Sequence, residues 1–137
     1  MGDKLDITSL INAIERLDEG LIRYQQDICD VQIRDGLIQR FEFTYELSHK
    51  MLKRYLVSTS ASPTLIEQMN FQDIIRTGNE KDLLLGDWTD WKKYRDMRSR
   101  TSHTYDEETA LEVVAGIPKF LTEVQFLQHK LESVLNG

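Results

Sequence analysis

Gly36-Leu37-Ile38-Gln39-Arg40-Phe41-Glu42-Phe43-Thr44-Tyr45-Glu46-Leu47-Ser48-His49-Lys50-Met51-Leu52-Lys53-Arg54-Tyr55-Leu56-Val57 is the stretch on which the fold turns. On a wheel of about 100° per residue, Leu37, Ile38, Phe41, Tyr45, Ser48, Leu52, Tyr55 and Leu56 share one face. Phe43, Leu47 and Met51 fall nearly opposite. A helix with two apolar stripes has two surfaces to cover. Either the second stripe lies under another part of the same chain, or it is a surface for self-association or a partner. Phe43, Leu47 and Met51 are therefore the candidate interface residues.

The flanking sequence repeats the helical pattern. Ile7, Leu10, Ile14, Leu17, Leu21, Tyr24 and Ile28 step by threes and fours, which predicts a helix from Asp6 to Cys29 with a narrow bundle-type seam. Gly20 weakens it slightly. Asp30 to Asp35 read as a turn, so the central helix is expected over 36–57. Ser62-Pro63 is a start signal, a capping side chain before a residue suited to the first turn. It opens a third helix to Arg76, with a break at Asn70 left open and Thr77-Gly78-Asn79-Glu80 ending it. Asp87 should cap a fourth helix to Ser102, with Trp88, Trp91, Tyr94, Arg98 and Ser102 on one face. A last helix follows Asp106, with Val113, Ile117, Phe120, Val124, Leu127, Leu131 and Val134 as its seam. Pro118 removes the bond to the Val114 carbonyl and should bend it. No strand pattern is visible. The expectation is an all-α, antiparallel up-and-down four-helix bundle with an additional short helix, one domain spanning 1–137.

Composition narrows the function. Hydrophobic residues at 40% and charged residues at 29% are ordinary for a globular chain. A net charge of −6 argues against a general nucleic-acid coat but allows a local basic pocket. The single Cys29 cannot form an intramolecular disulfide, which suits a reducing cytoplasm. Asp3, Lys4 and Asp6 interrupt any leader-like apolar run, and no stretch approaches the ~20 apolar residues of a membrane span. The three histidines are far apart and Cys29 has no ligand-spaced partner, so no metal motif and no cofactor are expected. A Gly-rich phosphate loop is also missing. So is the Gly-Ser and paired-Asp signature that holds the metal of a nucleotidyltransferase.

The chemistry-bearing stretch is Arg98-Ser99-Arg100-Thr101-Ser102-His103-Thr104-Tyr105-Asp106. Arg98 can grip a phosphate in bidentate fashion. His103 can move a proton near neutral pH. Tyr105 offers a hydroxyl. Lys92, Lys93, Arg95, Arg98 and Arg100 make a basic cluster, either a solvated helix end paired with Asp96, Asp106 and Glu107 or a phosphate site. Trp88 and Trp91 are core aromatics or base-stacking surfaces. Five residues separate Arg98 from His103, roughly 140° on an ideal helix, so they do not share a face. Unwinding at Thr101 to Thr104, or approach of Arg98 in one subunit to His103 in a second, would bring them together.

Arg98, four residues, His103, one residue, Tyr105 resembles the motif of HEPN-domain proteins. Ile38 to Leu47, with Lys50, Leu52, Tyr55 and Leu56, resembles the nucleotidyltransferase substrate-binding protein family, a branch of that group, as does Thr101 to Glu107. The likeness covers residues 5 to 135. One position departs: Ser99 stands where the family usually has Asn. The resemblance implies a dimeric helical subunit that joins a separate minimal nucleotidyltransferase and supplies a substrate or nucleotide pocket without itself being the transferase. Arg95, Arg98, Arg100, His103 and Tyr105 are then the candidate phosphate-binding residues. The alternative it implies is a HEPN ribonuclease toxin acting without metal on RNA. Arg98 and His103 would then be catalytic, and a cognate nucleotidyltransferase antitoxin would neutralise the toxin by modifying Tyr105.

Overall fold

The computed structural model describes residues 5–136. Among them are six α-helices and one 3₁₀ turn: α1 Thr8–Gln26, α2 Val31–Thr59, α3 Pro63–Glu67, α4 Phe71–Glu80, α5 Trp88–Arg100, a 3₁₀ turn Thr101–His103, and α6 Glu107–Asn136. The long helices α1, α2, α5 and α6 pack as a bundle, and α3 and α4 bridge α2 to α5 across its side. No helix is long and apolar enough to cross a membrane.

The expected seams are the core. Leu10, Ile14, Leu17, Leu21 and Tyr24 of α1 are buried, as are Val113, Ile117, Phe120, Val124, Leu127 and Leu131 of α6. Two ends of those seams are not. Ile28 lies beyond α1, which stops at Gln26, and Val134 is in the exposed last turn. Pro118 stays inside an unbroken α6. Gly20 has a packing reason: a Cβ there would meet the Arg40 side chain at 3.1 Å and Leu37 at 3.4 Å.

The central helix is longer than its apolar pattern. Asp30 caps it by accepting from the Ile33 amide at 3.1 Å, so residues 31–35 are helical rather than a turn. This first turn carries Arg34, buried, whose Nη1 donates to Glu107 Oε1 at 2.7 Å and ties the start of α2 to the start of α6. The second stripe divides. Met51 is 3% exposed and belongs to the core, which corrects its assignment to an interface. Leu47 is half-buried and Phe43 is 61% exposed.

The third helix is two. Asn70 accepts from the Asp73 amide at 2.8 Å and starts α4 afresh. That helix runs through Thr77 and Gly78 to Glu80 instead of ending at Arg76. Pro63 opens α3, but the Ser62 side chain makes no capping bond. Asp87 does cap α5, accepting from the Thr89 and Asp90 amides, while Asp90 returns a bond to the Asp87 amide.

Candidate functional site

α5 is anchored by aromatic rings. Trp91 and Tyr94 are buried, with Trp91 edge-on to Tyr94 at 5.3 Å and Tyr94 edge-on to Phe120 of α6 at 5.2 Å. Trp91 is thus unavailable for base stacking. Burial also raises the Tyr94 phenol, and lifts that of Tyr45 to about 12, so neither titrates in the physiological range. One turn past Tyr94, Arg98 emerges at the edge of this packed face and reaches α2.

Its guanidinium is held there on two edges. Nε donates to Glu46 Oε1 at 2.9 Å, Nη1 donates to Thr101 Oγ1 at 3.1 Å, and Glu42 lies 3.8 Å away. Nη2 carries no bond from the described residues. The Arg98 and Glu46 side chains are 33% and 58% exposed. Solvated pairs of this kind are worth at most about 1 kcal/mol, so an incoming phosphate can displace the carboxylate.

α5 then tightens for a local reason. Thr101 Oγ1 donates to the Arg98 carbonyl at 2.7 Å, Ser102 Oγ to Ser99 at 3.3 Å and Thr104 Oγ1 to Thr101 at 3.3 Å. Hydroxyls that bond carbonyls three residues back compete with the α-ladder and favour a 3₁₀ turn. The helix changes form where the sequence suggested, but by winding tighter rather than by unwinding. The three-per-turn segment does not close the angle between Arg98 and His103, and no hydrogen bond joins them. Arg98 turns to α2. His103 is exposed and packs edge-on to Tyr105, ring centres 6.1 Å apart. Tyr105 is 88% exposed. Asp106, just before α6, accepts from the Thr109 hydroxyl at 2.9 Å.

The rest of the basic cluster separates by partner. Arg100 pairs with Glu112 of α6 and with Asp96 at 3.5 Å, so its charge is spent within the chain. Arg95 forms no ion pair among the described residues and lies over the Phe71 ring at 5.7 Å. Beneath Arg98 is a shallow cleft of about 150 Å³ lined by Gln39, Glu42, Phe43, Glu46 and Arg98. The exposed Phe43 therefore borders the Arg98 site directly.

Two residues escaped the sequence reading. Glu46, noted in the sequence only as one position of the Ile38 to Leu47 run, accepts from Arg98 Nε at 2.9 Å. Glu123 is 1% exposed and gives one oxygen to the Leu85 amide at 2.8 Å and the other to the Gly86 amide at 2.7 Å. It pins the 81–86 connector; burial raises its carboxyl above the ordinary range despite both bonds. A Cβ on Gly86 would lie 2.7 Å from that carboxylate. No cluster of three or more potential metal ligands occurs among the described residues.

Four long helices packed as a bundle, with Arg98, His103 and Tyr105 along the stretch that joins the third to the fourth, define a helical-bundle class of protein. The chain belongs to the family described as nucleotidyltransferase substrate binding protein like, which matches residues 5–133. It is 40% identical over 139 residues to the probable ribonuclease HepT of Haemophilus influenzae (strain ATCC 51907 / DSM 11121 / KW20 / Rd), covering 96% of this chain and 94% of that one. It also superposes, with a TM-score of 0.87 and 37% identity, on HI0074 of Haemophilus influenzae, over 93% of this chain and 99% of that one. That structure is described as revealing the fold of a substrate binding domain of a nucleotidyltransferase.

Proposed function

We propose that this chain is the ribonuclease member of a two-component system, acting at a site shared by two copies and silenced when a separate minimal nucleotidyltransferase modifies Tyr105. The observation that carries this reading is the openness of the corner. The cleft at Arg98 is about 150 Å³, against roughly 300–1,000 Å³ for sites that enclose a small ligand. A site open to solvent suits a polymer. The relative named as a probable ribonuclease supports the same reading.

The chemistry follows from three groups. The ribose 2′-hydroxyl is the nucleophile, so the reaction calls for a base and a cation at the phosphate. His103 takes the 2′ proton as the 2′-oxygen bonds to phosphorus. The bond from phosphorus to the 5′-oxygen breaks, solvent protonates that oxygen, and a 2′,3′-cyclic phosphate remains. Arg98 stabilises the charge that builds on the non-bridging oxygens. Within one copy Arg98 and His103 diverge, and Glu42 and Glu46 outweigh the one guanidinium. A second copy docked on the exposed Phe43, with Leu47, bordering the Arg98 cleft, brings its His103 to the first copy's Arg98. Homodimerisation thus completes the site.

Tyr105 lies beside His103 and is almost fully accessible to a second protein. Its phenol oxygen can attack the α-phosphate of a nucleoside triphosphate held by the partner, releasing pyrophosphate. The added phosphate then blocks the neighbouring imidazole by bulk and charge. The test is cleavage of single-stranded RNA by purified wild type and His103→Ala: loss in the variant supports the assignment, equal cleavage ends it.

A second reading is the nucleotide-binding subunit of the transferase. It is favoured by the family description and by a groove of about 610 Å³ lined by residues that include Ser9, Arg16, Gly36, Arg40 and Phe43. Equilibrium dialysis with a nucleoside triphosphate separates the two: saturable binding lost in Arg40→Ala supports the second reading.

A further inference from the structure

Tyr105 stands at an end of the bundle built from two connections. α1 and α5 finish there and α2 and α6 begin there, so helix dipoles of both signs meet and largely offset one another. One ion pair joins the two connections: Arg34 of α2, its side chain 7% exposed, donates to Glu107 of α6 at 2.7 Å. The 3₁₀ turn packs against the same two helices. The Asp106 amide donates to the His103 carbonyl at 3.1 Å and closes the turn that carries the exposed Tyr105.

The surface round that ion pair is apolar at its centre. Val31, about one turn before Arg34, and Leu111, one turn after Glu107, are each about half exposed, and Ile28 in the connection before α2 is exposed. An apolar residue exposed singly is ordinary. Here four of the nine large apolar side chains exposed among the described residues, Tyr105 included, fall within six positions of one ion pair, and such clustering marks a contact surface. Its rim is acidic. Arg34 and Arg100 are already matched by Glu107 and Glu112. Asp27, Asp106 and Glu108 are exposed and form no ion pair among the described residues, and Asp35 only shares Arg34, at 3.9 Å. With the dipoles offset, this excess of carboxylate is uncompensated. It repels a nucleic acid and attracts a basic protein face.

We propose that this end of the bundle is the docking face of the nucleotidyltransferase that reaches Tyr105. Ile28, Val31 and Leu111 are its apolar contacts, and Asp27, Asp106 and Glu108 are the rim that meets basic residues of the partner. This rests on the modification reading for its occupant. The Arg34–Glu107 pair holds both halves of the face in place before the partner arrives, so docking needs little ordering of the chain. Val31 stands about 18 Å along α2 from Phe43. A second copy on Phe43 and the transferase on Val31 therefore use separate parts of that helix.

The test uses the full chain and the purified nucleotidyltransferase of the proposed pair. Calorimetry follows binding, and the mass of the intact chain follows nucleotidyl transfer. Leu111→Glu and Val31→Glu should each weaken binding by about tenfold or more, as a charge does at the apolar centre of an interface. Glu108→Gln should weaken it a few-fold and flatten its dependence on salt. Leu65→Glu, the same change at an exposed residue of α3, should alter neither. Tyr105→Phe should still bind while taking up no nucleotide. Thermal melts of each variant separate lost docking from lost folding. Binding unchanged in both Leu111→Glu and Val31→Glu overturns the proposal even where Tyr105 is modified, and so does an equal loss in Leu65→Glu. A labelled single-stranded RNA released by Leu111→Glu, with transferase binding intact, makes this an RNA face and also overturns it. Binding lost in both apolar variants, with no nucleotide reaching Tyr105 in wild type, leaves the docking face standing and removes the modification reading alone. A wild type that does not bind the transferase ends both.

Discussion

Glu123 and Arg98 are both ionic groups at the margin of the same bundle, yet they are built in opposite ways. Glu123 is buried, and both its oxygens accept backbone amides from the 81–86 connector. Arg98 is a third exposed, leans on two solvated carboxylates, and keeps one guanidinium nitrogen unbonded by the described residues. The first is complete within the chain and serves architecture. The second is left incomplete by the chain, which is what the proposed site asks of it. Burial with every valence filled, against exposure with valences to spare, separates the two roles better than residue type does.

That contrast predicts a crossed pattern of losses. His103→Ala should cut RNA cleavage by about 10²–10⁴-fold, with stability changed by less than about 0.5 kcal/mol because the ring is exposed. Arg98→Ala should cost about 10²–10³-fold in cleavage and no more than about 1 kcal/mol in chemical denaturation. Glu123→Ala should do the reverse, losing about 2–4 kcal/mol through two stranded amides. Its cleavage, normalised to folded protein, should stay within a few-fold of wild type. A Glu123 variant that folds normally but is inactive would erase the distinction.

Acidity sharpens it further. The folded Glu123 carboxyl is raised above its ordinary 4.5, so the folded state holds its proton more tightly. Stability from that group is full below pH 4.5 and falls as pH rises through the raised value. The margin of wild type over Glu123→Gln should therefore shrink with rising pH in denaturation curves. A margin that grew would mean the two amide bonds outweigh burial. The smallest expected effect is on the fold of Phe43→Glu, within about 0.5 kcal/mol for an exposed site, while the proposed dimer, present for wild type in sedimentation runs, should be lost in the variant.

Much of this was legible in the residues. The seams of α1 and α6, the Asp87 cap and the change of helix form after Arg100 all follow from local spacing and local hydroxyls. What was not legible depends on partners distant in the chain. Met51 shares a stripe with Phe43, but a helical wheel shows faces, not what covers them. The early start of α2 is secured by Arg34 reaching Glu107, 73 residues on. Glu123 reads as a surface acid in a seam until the connector folds over it. Arg98 and His103 take different neighbours, Glu46 of α2 for the first and Tyr105 for the second, and the carboxylates that meet Arg98 come from a separate helix.

The central claim is that Arg98 of one copy works with His103 of another. Arg98→Ala and His103→Ala chains, each inactive alone, can be mixed, unfolded and refolded together, and assayed for RNA cleavage. Mixed dimers then contain one intact pair drawn from both chains, and the account predicts activity well above either parent. If the mixture stays as inactive as its parents while mixed dimers are shown to form, the shared site is contradicted.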